Sequence, residues 1–352
     1  MKNNNENKIL NVPNLRFPEF SGEWENCQIA NILSIGSGRD YKHLEKGNIP
    51  VFGTGGYMTS VNECIYDGET TFIGRKGSIN KPFYYNGKFW TVDTLFYTHS
   101  FNKTTPKFVY CLFQTINWLR YNEASGVPSL SKDTIEKIKV FIPQLDEQRK
   151  ISEMLSVIDE RIATQNKIIE KLQSLIKGLA AQLTQSGTPN IRLCDCLECH
   201  SSTLQENCVS VTGSYPVYGA TGLIGYTNNY AYNGESILIV KDGSGVGSLS
   251  YVNDHFSVIG TLNYLTAKEN YSILYLYYAL MAFNFTPYIT GMAIPHIYFK
   301  DYGKAKLFYP SIEKRIRIAS LLHNIEQKLV VEQNLVISLS AQKSYLLRML
   351  FI

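Results

Sequence analysis

The sequence predicts an α+β protein, in which two duplicated globular mixed α/β domains are separated by two long helices that pair as an antiparallel coiled coil. Two observations predict this class. A long heptad pattern occurs twice in the 352 residues, and the glycine-rich segments in front of the first pattern return in front of the second. The predicted segments are an N-terminal tail at 1–16, a first globular domain at 17–143, a central helix at 144–186, a second globular domain at 187–310 and a C-terminal helix at 311–352.

The central helix is predicted by apolar positions that recur at alternating steps of four and three across residues 143–185. This spacing draws one narrow apolar seam along a helix and is typical of a coiled coil. A core helix of a single globular domain is less favoured, because such helices rarely exceed about 25 residues. About 40 residues at about 1.5 Å each would extend over about 60 Å. The seam positions are Ile151, Leu155, Ile158, Ile162, Gln165 and Leu172.

The second helix repeats the same design 167 residues later, with the polar Gln165 mapping onto Glu332 and Pro143 onto Pro310. We expect the two helices to pack on each other about a pseudo-twofold axis, so that Ile151 lies opposite Leu350. A polar pair in an apolar seam fixes register at some cost in stability. The seam positions of this helix are Ile318, Leu322, Ile325, Leu329, Glu332 and Leu339.

The first globular domain begins with an extended segment at 13–24, whose aromatic side chains should pack on the domain. Short strands and glycine turns follow from residue 48, and residues 106–121 are expected to form a helix. Ser131 is the expected N-cap of a short helix, because a serine hydroxyl accepts a hydrogen bond from the first helical turn. A strand then leads into Pro143.

The second globular domain repeats the first after a linker at 186–190. The segment YPVYGATGLIGY at 215–226 matches IPVFGTGGYMTS at 49–60, and NGESILIVKDGSGVG at 233–247 matches DGETTFIGRKGSINK at 67–81. The glycines keep register, as Gly77 and Gly243 show. A repeat of this length is a duplicated domain with its helix, because solenoid units are only about 20–50 residues long.

Composition and charge restrict the possible functions. A hydrophobic fraction of 44% and an aromatic fraction of 12% describe a folded protein. Without an apolar run of 18 residues or a secretory signal, we expect no membrane contact and a cytoplasmic location with reduced cysteines. Residues 17–143 carry 13 Lys and Arg against 12 Asp and Glu, and residues 187–310 carry 6 against 8. Neither domain has the strongly basic character typical of proteins that bind DNA alone, so partners would supply much of the positive field.

Two glycine-flanked turns are the candidate binding elements. In IGRKGS, residues 73–78, Arg75 and Lys76 stand where a backbone can approach a ligand closely, and the turn is either a DNA contact or a solvated hairpin tip. The equivalent VKDGSG retains Lys241 but has Asp242 in place of the second cation. The candidate DNA-binding residues are Thr54, Gly55, Tyr57, Arg75, Lys76, Ser78, Lys81, Thr221, Lys241, Asp242, Ser244 and Ser248.

No motif predicts an active site, a nucleotide site or a metal. The run CDCLECH, with Cys194, Cys196, Cys199 and His200, could ligate zinc, but structural sites usually pair two separated knuckles, so buried thiols are favoured. The glycine-rich GTGG and GSGVG fit neither a dinucleotide fingerprint nor a phosphate loop. No nucleophile elbow, no H-E-x-x-H and no Asn/Asp-Pro-Pro-Tyr motif is present.

Four features of the chain carry a family likeness: the segment LRFPEFSGEW, the series IPVFG, DGE and IGRKGS, the FIPQLDEQRKI entry to a long helix, and the repeat of all but the first of these. Together they resemble the specificity subunits of type I restriction–modification systems. The resemblance implies a non-catalytic subunit whose two target recognition domains, 17–143 and 187–310, read a bipartite double-stranded DNA site. It implies partners in two methyltransferase subunits and in restriction–translocase subunits. S-adenosylmethionine, ATP and Mg are then expected on those partners and no cofactor on this chain.

The second half departs from the family pattern, since it lacks LRFPEF and enters its helix through the looser PSIEKRIRI. Both departures leave open whether the two halves bind their partners equally. An alternative from another class is a coiled-coil scaffold that does not bind DNA; it would leave the gel mobility of duplex DNA unchanged with every partner added.

Overall fold

The computed structural model describes residues 10–352, so residues 1–9 of the predicted tail lie outside the described part. The chain divides into two units. The first unit comprises residues up to Gln165 together with Leu335–Ile352, and the second comprises Asn166–Asn334.

The first unit is built on a six-stranded sheet in the order β2-β7-β5-β6-β3-β4, in which β3 and β6 are parallel and the other neighbours antiparallel. Its elements are β1 (Glu25–Gln28), α1 (Ile29–Ile32), β2 (Ser34–Ser37), β3 (Lys46–Gly53), β4 (Gly56–Val61), β5 (Tyr66–Gly74), β6 (Phe83–Thr91), β7 (Leu95–His99), α2 (Pro106–Thr115), a 3-10 turn (Trp118–Tyr121), α3 (Lys132–Lys137), β8 (Lys139–Ile142) and α4 (Leu145–Thr184). A separate ribbon pairs β1 with β8.

The second unit has the same topology, with a sheet in the order β10-β15-β13-β14-β11-β12 and a ribbon of β9 and β16. The predicted duplication and the α+β class are therefore confirmed. Its elements are β9 (Ile191–Arg192), α5 (Leu193–Cys196), β10 (Leu197–Ser201), a 3-10 turn (Glu206–Cys208), β11 (Tyr215–Gly219), β12 (Gly222–Thr227), β13 (Tyr232–Val240), β14 (Leu249–Val258), β15 (Leu262–Ala267), α6 (Ile273–Met281), a 3-10 turn (Thr286–Tyr288), α7 (Phe299–Tyr302), β16 (Lys306–Leu307) and α8 (Ile312–Leu350).

The helix expected at 106–121 is wrong at its C-terminal end. It stops at Thr115, and Ile116 has extended dihedral angles. The physical reason is Trp118, whose buried indole N–H donates to the carbonyl oxygen of Phe113 at 2.8 Å. This bond satisfies a carbonyl that the end of the helix leaves without a partner. The predicted cap of the next helix is present, because the Ser131 hydroxyl accepts from the backbone N–H of Thr134.

Both long helices are continuous, and each unit by itself shows that they run antiparallel. In the first unit Ile151 and Leu350 lie in one core cluster, as the predicted register requires, and Lys343 pairs with Asp159. In the second unit Ala180 shares a core with Ile318 and Leu322. The seam positions Ile151, Leu155, Gln165, Ile318, Leu322 and Leu339 are buried, and Ile158, Ile162, Leu172, Ile325, Leu329 and Glu332 are half-buried.

The extended segment at 13–24 packs on the start of α4 and the end of α8. The Trp24 indole is buried between Phe108 and Phe351. Arg16 forms a two-pronged ion pair with the buried carboxylate of Glu147, at 2.8 and 2.7 Å. Within residues 10–352 no helix is both long and apolar enough to cross a bilayer.

Candidate nucleic-acid interface

The turn after β5 is held by backbone hydrogen bonds on two sides. The N–H groups of Arg75 and Lys76 donate to the carbonyl oxygen of Thr94 at 2.8 and 3.2 Å, and Gly77 N–H donates to Pro128 at 2.8 Å. The Arg75 carbonyl oxygen accepts from Leu130 N–H at 2.8 Å. Gly77 has a φ of +92°, which favours glycine. The turn is therefore rigid, while the side chains of Arg75 and Lys76 remain exposed.

The Arg75 side chain lies over Phe96, 5.8 Å from the ring centroid, and donates one hydrogen bond to the carbonyl oxygen of Asp93. Within residues 10–352 its other guanidinium donors have no partner. Glu123 lies nearby, and hydroxyl donors from Thr134 and Ser131 hold the pKa of its carboxyl below the usual range. These groups line an open pocket of about 510 Å³, formed by Ser37, Arg75, Lys76, Asp93, Thr94, Phe96, Glu123, Ser129, Leu130, Ser131 and Lys132.

The hairpin of β3 and β4 lies beside this turn. A Cβ on Gly77 would stand 3.6 Å from the Thr54 hydroxyl oxygen, so the turn and the hairpin tip adjoin. Tyr57, on the same hairpin, is 63% exposed. Thr54, Gly55 and the 75–78 turn therefore share one end of the sheet, as loops that carry binding groups on a rigid scaffold often do. Lys81 is exposed, and no described contact joins it to the turn.

The second unit repeats the framework with different side chains. Lys241 N–H donates to Thr261 at 3.0 Å, Gly243 N–H donates to Pro295 at 2.9 Å, and Ile297 N–H donates to Lys241 at 2.9 Å. Lys241 thus takes the place of Arg75 and Asp242 that of Lys76. Thr221, Ser244 and Ser248 are exposed. Within the described chain no contact joins Thr221 to the Lys241 turn.

Two segments that carry the partners of these turns were not predicted from the sequence. They are the straps, residues 127–130 and 294–297. Each strap pairs with its turn through one bridge, Lys76 with Ser129 and Asp242 with His296. Val127 and Ile294 are 57% and 65% exposed beside the turns. The signal that reveals them is a shared pattern 167 residues apart, VPSL at 127–130 and IPHI at 294–297.

The cysteine-rich run lies on α5 and β10. Cys196 is fully buried in the core of the second unit, and burial raises its pKa to about 12 and that of Cys199 to about 11. Burial in an apolar core disfavours the thiolate, which is the form that binds zinc. The His200 ring stacks on Tyr264 and its Nε2 lies 2.9 Å from the Thr266 hydroxyl. Among residues 10–352 no group of three potential metal ligands is assembled.

Comparison with known proteins agrees with the duplicated fold. The family model described as the type I restriction modification DNA specificity domain matches residues 21–174 and again residues 191–339. These two matches cover well over half of the chain, so the chain belongs to this family and carries two copies of its domain.

Curated relatives include the type I restriction enzyme EcoprrI specificity subunit of Escherichia coli, 28% identical over 112 residues, which are 32% of this chain and 28% of that protein. A putative type I specificity subunit of Mycoplasma pneumoniae is 30% identical over 138 residues, 37% of this chain and 43% of that protein. Each alignment thus spans less than half of the relative.

The fold matches that of the type I restriction–modification S subunit from M. genitalium, with a TM-score of 0.73 at 17% identity, covering 97% of this chain and 99% of that one. A chain from a study of complex assembly and conformational transition in a type I restriction–modification system gives a TM-score of 0.50 at 14% identity, covering 92% and 96%. At these identities the matches concern the fold alone.

Proposed function

We propose that this chain is the DNA-specificity subunit of a type I restriction–modification complex, in which each unit reads one half of a bipartite duplex target. One observation carries the proposal. The chain belongs to a family of DNA specificity domains, and the same hydrogen-bonded turn and strap occur in both of its units. The side chains on the two turns differ: Arg75 and Lys76 in the first unit, Lys241 and Asp242 in the second. Two domains that share a backbone framework but carry different side chains on the turn suit the recognition of two different base sequences.

The chemistry of the turns suits reading in the major groove, about 12 Å wide, which admits a two-stranded ribbon. Arg75 has free donors for the O6 and N7 acceptors of guanine, the commonest specific contact made by arginine. Hydroxyls such as those of Ser78 and Ser244 suit phosphate or base contacts that fix position. The rigid backbone of each turn means that little ordering is needed on binding.

The proposal extends to partners. Both units lack a strong excess of cations, so methyltransferase subunits would share the neutralisation of phosphate. We assign to this chain no catalytic step and no cofactor, and place S-adenosylmethionine, ATP and Mg on two methyltransferase subunits and on restriction–translocase subunits. The long helices α4 and α8 would dock the methyltransferase subunits and set the spacing between half-sites.

The test is binding of duplex DNA by the complex with its methyltransferase, for the wild type and Arg75→Ala. A base contact by Arg75 predicts a loss of about 1–3 kcal/mol and relaxed specificity at one base pair. A phosphate contact predicts a uniform loss and a salt slope lower by about one charge. The matched control is Lys88→Ala, because Lys88 is exposed and lies far from the turn, opposite Asp67 in the strand register at the other end of β5. Unchanged binding by Arg75→Ala at every salt concentration would instead favour a solvated hairpin tip.

A further inference from the structure

The second unit carries a carboxylate where the first carries an ammonium. Asp242 and Lys76 occupy equivalent positions of the repeated framework. Each follows a residue whose backbone N–H bonds to the connection between two strands, β6–β7 in the first unit and β14–β15 in the second. Each also forms a bridge to its strap. Asp242 is half-buried. A difference at a position that the backbone fixes equally in both units reflects what the side chain contacts, not how the chain is folded.

The Asp242 carboxylate has no partner of its own. Within the described chain it makes no hydrogen bond and no ion pair, whereas two other acids of the second unit, at the opposite end of β13 and β14, each accept one. Glu235 accepts from the Tyr251 hydroxyl, and Asp254 accepts from the His255 backbone. A structural role for Asp242 would require a donor, and the fold supplies none.

A carboxylate brought close to duplex DNA is repelled by phosphates and loses water, so its approach needs a donor on the DNA. The major groove offers such donors in the exocyclic amino groups of cytosine N4 and adenine N6. Guanine and thymine present acceptors at the equivalent edge.

We infer that Asp242 is a specificity-determining residue that accepts a hydrogen bond from the exocyclic amine of a cytosine or adenine in the half-site read by the second unit. The inference rests on the proposed function. The equivalent Lys76 selects against such an amine and in favour of an acceptor-rich guanine. The two halves of the target therefore differ in polarity at equivalent positions.

The experiment uses the complex of this chain with its methyltransferase on duplexes that carry the motif found by methylome sequencing. Each cytosine or adenine of the second half-site is replaced in turn by an analogue that lacks the amino group. The wild type should lose about 5- to 150-fold in affinity at one position, and the base there distinguishes cytosine from adenine. Asp242→Ala removes the acceptor and should be insensitive to that replacement, while Glu269→Ala, a change at an exposed acid of the same unit, should behave as the wild type.

Equal binding of every amine-deleted duplex by the wild type would overturn the inference, and this result does not depend on any variant folding. Lys241→Ala distinguishes a failure of the inference about Asp242 from a failure of the proposed function. If Lys241→Ala weakens binding but no analogue does, the second unit reads DNA without Asp242. If neither Lys241→Ala nor Arg75→Ala changes binding, the proposed function fails and the inference fails with it.

Discussion

Lys343 on α8 forms an ion pair with Asp159 on α4, with 2.5 Å between Nζ and Oδ1. The ammonium also donates to the Gln114 side chain at 2.7 Å and lies over the Tyr110 ring. One cation thus joins both long helices to α2 within the first unit. It stands four residues after the seam position Leu339, where Asp159, Gln114 and the Tyr110 ring supply partners for a largely buried charge.

Lys343→Met should lower the free energy of unfolding of the first unit. The change keeps the apolar volume but leaves Asp159 without its partner, and because that carboxylate is about a third exposed the loss should be only about 1–2 kcal/mol. Urea unfolding followed by tryptophan fluorescence measures this unit selectively, since Trp24, Trp90 and Trp118 are the three tryptophans of the chain. Arg161→Met, at an exposed position of α4 within the same unit, is the control; equal effects of both changes would contradict a specific pair.

Tyr278→Phe should destabilise the second unit by about 1.5–3 kcal/mol, because its hydroxyl donates to the Glu326 carboxylate at 2.7 Å in a buried setting. Burial first, and then Glu326, raise the pKa of Tyr278 above its usual value near 10. The protonated form is therefore the one that the fold stabilises. The difference between wild type and variant should be constant below about pH 10 and shrink above it. Urea unfolding monitored by circular dichroism across this range checks the sign, and a difference that grows with pH would contradict it.

The thiols of Cys196 and Cys199 should react slowly with iodoacetamide at pH 8, because burial raises both pKa values and leaves little thiolate. Cys64 and Cys208 are exposed and should react first. Mass spectrometry of the alkylated peptides gives the order, and metal analysis of the same sample tests the zinc alternative. Stoichiometric zinc with protection of Cys194, Cys196 and Cys199 together would show that the run is a metal site.

Inserting seven residues after Leu172 and seven after Leu339 should preserve the seam and lengthen each helix by about 10.5 Å, or about three base pairs of B-DNA. We expect the methylated motif to keep both halves and gain spacer bases. Inserting four residues at the same places shifts the seam phase and should abolish activity. Methylation with an unchanged spacer in the seven-residue variant would mean that the helices do not set the spacing.

Local patterns in the sequence predicted the long helices, the Ser131 cap and the duplicated strands, because heptads, caps and glycine register depend on residues near in the chain. Contacts between distant segments escaped prediction. The end of α2 depends on the Trp118 indole, and the place of the Arg75 turn depends on a strap more than 50 residues away. The candidate residues Thr54 and Arg75–Ser78 adjoin in the fold, but only the sheet order brings their loops together.

The central claim is that each unit independently reads one half of a DNA target. Its most direct test replaces residues 17–143 with the corresponding domain of another specificity subunit, and separately residues 187–310, in a host that expresses the chain with its methyltransferase. Methylome sequencing should show that each exchange changes a different half of the motif and leaves the other half intact. A motif that is unaltered by either exchange, or that changes in both halves with one exchange, would contradict the account.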